Sequence, residues 1–232
     1  MPVSVAIVGS GPAAFYTAAA LVDTGDDVLV DIIERLPTPF GLIRGGISPD
    51  HQTTKNITKK FEKTAMSEQV RYFGNVEVGR DLELSELRGI YDAVVLAIGS
   101  PEDRTLNIPG ADKANVIGAA TFVRWYNGHP DFRDLAPDLS ISTAVVIGVG
   151  NVAMDVSRLL CLSAGELATT DLPDFAETAI QQSPLSDVYM IGRRGPSDAK
   201  FTNVELRELK DMAECIPHVR PEQLPDGVEG DY

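Results

Sequence analysis

The sequence predicts an α/β fold of two parallel-sheet domains with covering helices, and three observations predict it. Gly9-Ser10-Gly11-Pro12-Ala13-Ala14 follows the apolar run Val3 to Val8. Gly148-Val149-Gly150-Asn151-Val152-Ala153 follows Thr143 to Ile147. Both motifs open a helix-like run, which is the local order of a βαβ unit, and the runs before them are short and continuously apolar, as strands buried on both faces of a parallel sheet are. Each half is therefore expected to be a Rossmann-like, dinucleotide-binding domain, over residues 1–108 and 109–232, joined at Ile108-Pro109-Gly110.

In the first half, Val3 to Val8 is a strand and Pro12 opens a helix, where its missing N–H costs nothing. Ala14, Ala18 and Ala19 are small enough for close packing of that helix on the sheet. Val28 to Ile33 is the second strand, with Glu34 at its carboxyl end, and the crossover is expected to be right-handed. Leu36 to Asp50 is too long and too apolar for a plain turn and reads as a loop wrapped around something. Gln52 to Ala65 is expected to be helical, with Ile57, Phe61 and Ala65 on one face. Val70 to Val78 reads as a strand pair or meander, and Tyr91 to Ile98 as a buried strand ending at Gly99.

The second half begins with a strand near Asn115 to Ile117 and a helix near Ala120 to Tyr126. Ser142 to Ile147 is a strand and Val152 to Leu162 a helix. Ser163 to Ser186 reads as an acidic, loop-rich excursion. Val188 to Ile191 is the next strand, Phe201 to Ala213 a helix, and Pro217 to Val219 the start of one more strand.

The glycines carry the chemistry. Gly9, Gly11 and Ala14 allow a tight turn and close approach of a pyrophosphate to backbone N–H groups at a helix N-terminus. Gly148, Gly150 and Ala153 repeat the arrangement. The halves differ in how the next strand ends. Glu34 is an acid, suited to a ribose hydroxyl; Arg193-Arg194 offers two forked donors, suited to a ribose 2′-phosphate. Two different dinucleotides, most simply FAD and NADP, follow, and with them electron transfer through a flavin. Beside this stands the plainer reading of a structural turn and a solvated arginine pair, which a glycine motif or an arginine pair taken alone would favour.

Bulk properties narrow the field. The net charge is −14, which disfavours nucleic acid and anionic membranes as partners. No apolar run approaches a membrane span, and Val3 to Val8 is too short for a signal peptide, so a cytoplasmic location is expected. Cys161 and Cys215 form no Cys-x-x-Cys, so two buried or free thiols are expected and a redox-active dithiol is not. His51 in its loop and Asp155 on its helix would not be singled out by periodicity, and Trp125 and Tyr126 read as aromatic core. Lys55, Lys59 and Lys63 make a basic stripe whose plain reading is a solvated helix face, with an acidic redox partner as the alternative.

Several stretches carry a resemblance. They are Pro39-Phe40-Gly41-Leu42-Ile43-Arg44 with Pro49-Asp50-His51, Gly150-Asn151-Val152-Ala153-Met154-Asp155-Val156, and Gly192-Arg193-Arg194-Gly195-Pro196 with Phe201-Thr202. In these the chain resembles the adrenodoxin reductase-type ferredoxin–NADP(+) reductases of the bacterial kind, over essentially its whole length. The resemblance implies a two-domain flavoprotein in which NADPH reduces FAD and the flavin passes single electrons to ferredoxin or a similar iron–sulfur protein. It implies FAD contacts from Gly9, Gly11, Ala14, Glu34 and Leu42, and NADP contacts from Asn151, Val152, Arg193, Arg194 and Glu205, with Gly99, Gly148 and Gly150 as further cofactor-binding residues. His51, Asp155 and Glu208 would lie near flavin and nicotinamide, assisting proton handling or positioning.

Members of that family are considerably longer. The resemblance therefore implies an N-terminal half, with the second domain incomplete and the segment that closes over the flavin absent. Asp198 and Lys200, beside the arginine pair, also depart from the pattern: the acid would weaken a 2′-phosphate site and the lysine would compensate. Two alternatives stay open here: another flavin–pyridine nucleotide oxidoreductase on the same scaffold, and a non-catalytic nucleotide-binding fragment. No metal-ligand cluster is expected.

Overall fold

A computed structural model describes residues 2–100 and 102–224. It divides into two compact units, Met1–Ile47 with His51–Glu102, and Ser48–Asp50 with Asp103–Tyr232.

The first unit runs β1 (Val3–Val8), α1 (Pro12–Asp23), β2 (Val28–Glu34), α2 (Leu42–Gly45), α3 (Gln52–Lys55), α4 (Thr58–Ala65), β3 (Val70–Gly74), α5 (Leu84–Ile90) and β4 (Ala93–Leu96). Its strands form one sheet in the order β3-β2-β1-β4, all parallel. Strand alternation sends the two sides of β1 and β2 into separate cores. Val5, Ile7, Val30 and Ile32 pack with Ala14, Phe15 and Ala18 of α1 and Phe61 of α4, while Ala6, Val8 and Ile33 pack with Leu87 of α5. Phe15 and Phe61 stack at 5.1 Å between centroids, and Phe40, from the apolar loop, lies 5.3 Å from Phe15. The loop from Leu36 thus closes the core beneath the first glycine turn. Each such buried side chain contributes about 1.5–3 kcal/mol, which is why this half was readable from its apolar runs.

Among the described residues of this unit, Ser10 and one charged group lie inside. Asp31 is buried on β2. Its cross-strand neighbour Arg71 donates to it twice, Nε to Oδ1 and Nη2 to Oδ2, both at 2.7 Å, and the Tyr91 hydroxyl donates to Oδ2 at 2.6 Å. Burial, and then the bond to Asp31, push the Tyr91 hydroxyl up to about 12. This value lies above the unfolded one near 10, so the stability Tyr91 contributes is full below about pH 10 and lost as pH rises through its folded value. Tyr91→Phe should flatten the fall of stability with pH in that window, measured by urea denaturation. Identical alkaline limbs in both proteins would contradict the linkage.

The second unit runs α6 (Ala119–Tyr126), β5 (Thr143–Ile147), α7 (Asn151–Cys161), α8 (Ala164–Leu167), α9 (Asp174–Gln181), β6 (Asp187–Ile191) and α10 (Asn203–Glu208). β5 and β6 pair in parallel as a two-stranded sheet. The core lies on one side of it: Phe122, Val123, Trp125 and Tyr126 of α6, Val156 and Leu159 of α7, Leu167 of α8 and Ala176 and Ile180 of α9. Trp125 and Tyr126 are thus aromatic core, as read. On the other side Val145, Ile147, Tyr189 and Ile191 are exposed.

Several expected elements differ. Residues 70–78 hold one strand, because Gly74 ends β3 and Asn75 takes a positive φ of 59°. Asn115 to Ile117 is not a strand. Asn115 has φ 61°, and its amide exchanges two hydrogen bonds with the Asp138 backbone, both at 2.9 Å. Ser163 to Ser186 holds two helices, the first opened by a capping box between Ser163 and Glu166. Leu84–Ile90 is a helix with a Glu83–Glu86 capping box. The helix expected from Gln52 to Ala65 is broken at Asn56 and Ile57, and the one from Phe201 stops at Glu208 before a 3-10 turn, Leu209–Asp211. Pro217 to Val219 forms no strand.

Candidate functional site

Each unit carries a glycine turn at the N-terminus of its first long helix. In the first unit Gly9 has φ 103°, and a Cβ there would sit 2.3 Å from the Ala97 carbonyl oxygen. Its absence lets the β1 turn lie against the backbone leaving β4. Gly11 caps α1 without a side-chain hydrogen bond, and a Cβ on it would meet nothing within 4 Å. That opening faces the free N–H groups of a helix first turn, a setting that accepts an anion. Ala14 is buried beneath it. Phe40 N–H donates to the Ser10 carbonyl at 2.9 Å, and Gly41, at φ 50°, approaches the Gly11 Cα so closely that a Cβ would lie at 2.7 Å. The loop thereby presents Leu42, 60% exposed, beside the turn. Gly99, at φ 72°, has open space where a Cβ would be.

Glu34 ends β2 as expected. Its Oε2 accepts from Ser10 N–H at 2.9 Å and Ser10 Oγ at 2.6 Å, and its Oε1 from Leu36 N–H at 2.9 Å. A carboxylate has about four acceptor positions, so one remains for a ribose hydroxyl. The acid also holds the glycine turn itself, a role the sequence did not reveal. Gly11, Gly41, Leu42 and Glu34 fit the adenosine and pyrophosphate of a flavin dinucleotide. A hollow of about 410 Å³ lies elsewhere in this unit, along Ala93, Val94 and Leu96 of β4 with Leu84, Arg88 and Tyr91.

In the second unit Gly148 takes φ 149° at the turn into α7, and a Cβ there would meet the Ala153 Cβ at an ordinary contact distance of 3.4 Å. Gly150 caps α7 with no side-chain bond and with open space in place of a Cβ. Asn151 Oδ1 accepts from Thr202 N–H at 3.0 Å, and Val152 is about half-exposed. Arg193 and Arg194 follow β6 and are exposed. Arg194 Nη1 meets Asp198 Oδ1 at 3.3 Å, so the departure noted in the sequence takes one of the two forks into an ion pair. The open Gly150 and the exposed arginines fit a phosphorylated pyridine dinucleotide.

His51, in the first unit, caps the short helix α3, half-buried. Asp155, Glu205 and Glu208 lie in the second unit, and the structure brings all three together on one residue the sequence did not single out, Arg158. Asp50 joins them. Burial opposes the Arg158 charge, but the bonds and attraction of Asp50 and then Asp155 outweigh it and hold the guanidinium protonated beyond its ordinary range. Tyr126, whose hydroxyl is buried with no hydrogen-bond partner, is pushed up by burial and then by the Asp155 and Asp50 carboxylates. In the sequence this cluster shows only as two one-turn spacings, Asp155–Arg158 and Glu205–Glu208.

Cys161 and Cys215 are free, as expected, but their thiols are neighbours. Burial, and then the neighbouring Cys215, push the Cys161 thiol above its ordinary range. Among the described residues no helix is long and apolar enough to cross a membrane.

Two parallel-sheet units, each with a glycine turn opening on an uncapped helix, define an α/β protein of Rossmann type suited to nucleotide pyrophosphates. The model of the pyridine nucleotide-disulphide oxidoreductases matches residues 3–187, and the chain belongs to that family. It is 48% identical over 232 residues to the NADPH-ferredoxin reductase FprA of Mycobacterium tuberculosis, covering 98% of this chain and 51% of that protein. It is 48% identical over 223 residues to the mitochondrial NADPH:adrenodoxin oxidoreductase of Arabidopsis thaliana, covering 96% of this chain and 46% of that one. The structure of Mycobacterium tuberculosis FprA in complex with NADPH superposes with a TM-score of 0.89 at 49% identity, over 91% of this chain and 48% of that chain. The chain spans about half the length of the curated relatives it matches.

Proposed function

We propose that this chain is the nucleotide-binding part of an FAD-dependent oxidoreductase that carries electrons from NADPH to ferredoxin or a similar iron–sulfur protein. The carrying observation is the asymmetry of two otherwise equivalent sites: Glu34 stands after the first glycine turn, and the exposed Arg193-Arg194 pair after the second. The relatives' names support the direction of transfer. Bound flavin would supply the conversion between a two-electron donor and a one-electron acceptor. This chain's residues would hold the pyrophosphates at Gly11 and Gly150, the adenosine ribose at Glu34 and the 2′-phosphate at Arg193 and Arg194. Gly9, Ala14, Leu42 and Gly99 would shape the FAD site, and Gly148, Asn151, Val152 and Glu205 the NADP site. His51, Asp155 and Glu208 would position the nicotinamide end or handle its proton. Free thiols suit a reducing compartment such as the cytoplasm.

The arginine pair gives the test. Losing a charge-assisted bond costs about 1.5–3 kcal/mol, so Arg193→Ala with Arg194→Ala should weaken NADP+ tenfold or more, at about 1.4 kcal/mol per tenfold. NAD+ binding should change little in the same calorimetric titration, and equal losses for both nucleotides would sink the NADP assignment. Asp198→Asn, which frees Arg194 from an exposed ion pair, should tighten NADP+ by up to about fivefold. Unchanged or weaker binding in that variant would show that Asp198 does not compete.

A further inference from the structure

We propose that Arg158 is a positioning residue that holds α10, with Glu205 and Glu208, against α7. Its bearing on nucleotide binding rests on the function proposed above, whereas its hold on α10 does not. Arg158 is 3% exposed, one helical turn beyond the buried Met154 on α7. All five of its N–H donors face carboxylates. Nε meets Asp50 Oδ2 at 2.6 Å. Nη2 meets Asp50 Oδ1 at 3.3 Å and Asp155 Oδ1 at 2.8 Å. Nη1 meets Glu205 Oε2 and Glu208 Oε2, both at 3.0 Å. One guanidinium thus stands among four carboxylates, an arrangement that repels itself once the arginine is gone.

Apolar packing does little to hold that segment. α10 has six residues and no buried side chain, and Val204 and Leu206 are exposed. A helix so short does not persist on propensity alone, and no apolar face anchors it. Its N-terminal end is tied by Thr202 N–H to Asn151 Oδ1 at 3.0 Å, and just upstream by Lys200 N–H and Phe201 N–H to the Val149 carbonyl at 2.7 and 3.2 Å. The contacts from Arg158 fall further along, at Glu205 and at the last residue, Glu208. The two attachments therefore grip the helix at separate points, one beside the glycine turn and one more than a helical turn into α7. A lysine offers three donors from one point and cannot span this set.

The test is amide hydrogen exchange on the 232-residue chain without nucleotide, read at Leu206, Arg207 and Glu208 against β5 and β6. Arg158→Met should speed exchange in α10 at least about tenfold, and Arg158→Lys should lie nearer to Arg158→Met than to the parent chain. Glu205→Ala with Glu208→Ala leaves Arg158 paired with Asp50 and Asp155, so the unit stays folded. It should loosen α10 similarly although alanine is the better helix former. If Arg158→Met unfolds the unit, the glutamate pair decides alone. Unchanged exchange in α10 of the glutamate variant, or α10 amides already unprotected in the parent chain, would overturn the proposal. A separate NADP+ titration of the parent chain reports on the proposed function, so the two fail independently.

Discussion

Gly9→Ala should destabilise the first unit by about 3–5 kcal/mol, while Gly11→Ala, two residues on, should leave its stability within about 0.5 kcal/mol. The two glycines belong to one motif but answer to different constraints. Gly9 holds φ 103°, where a side chain is strained, and its added Cβ would drive into the Ala97 carbonyl at 2.3 Å. That carbonyl cannot withdraw cheaply, because the adjoining Ala97 N–H bonds the Val8 carbonyl at 2.7 Å and continues the β1–β4 ladder. Relief would have to come from parting the centre of the sheet. Gly11 has ordinary φ of −76° and empty space where the methyl would go. If that space is where a pyrophosphate meets the backbone, its filling costs affinity and not stability. Gly150 is in the same position in the second unit, with open space before α7. Gly150→Ala should therefore weaken NADP+ about tenfold with an unchanged unfolding midpoint. Urea titrations of Gly9→Ala and Gly11→Ala with coincident midpoints would show that the close approach at Ala97 relaxes. A Gly150→Ala variant that binds NADP+ as tightly as the parent would remove Gly150 from the site.

What could be read from the sequence follows the same division between backbone and long-range contact. β1, α1, β2, β5, α7 and β6 were legible because each is a continuous apolar or small-residue run next to a glycine turn, and local pattern alone specifies such runs. α8 was written in the chain as Ser163-x-x-Glu166, yet the acidic surroundings hid it. The false strand at Asn115 failed on a backbone angle that β-propensity does not register. The glycines and Glu34 stood out by motif, but the grip of Glu34 on Ser10 and Leu36 needed the folded loop. Arg158 was the least visible. It lies 108 residues from Asp50 and 47 from Glu205, and nothing local marks an arginine that will be buried. Asp155, Glu205 and Glu208 stand out in the sequence only through resemblance, and the physical reason they belong together is that arginine.

The 232-residue chain by itself should bind FAD well below one equivalent, show little NADPH-dependent ferricyanide reduction, and self-associate. The reasoning is about uncovered surface. β4 is an outer strand of the first sheet, and among the described residues no strand pairs with its far edge. Leu96 and Ile98 are exposed there, and the hollow of about 410 Å³ runs along the same strand. In the second unit Val145, Ile147, Tyr189 and Ile191 form an apolar face of a two-stranded parallel sheet, exposed although parallel sheets are ordinarily covered on both faces. Open edges and apolar patches of this kind recruit other chains. The relatives, matched over about half their length, have a second half available to cover such surfaces. Supplying the C-terminal half of the Mycobacterium tuberculosis relative in trans should therefore raise flavin retention and reduce the self-association. Flavin absorbance after gel filtration, light scattering and ferricyanide reduction read these outcomes directly. A yellow monomer with one FAD per chain and rapid turnover would mean that the exposed face of β5 and β6 and the open edge of β4 are harmless, and that the flavin site needs nothing beyond Gly11, Glu34 and the Leu42 loop.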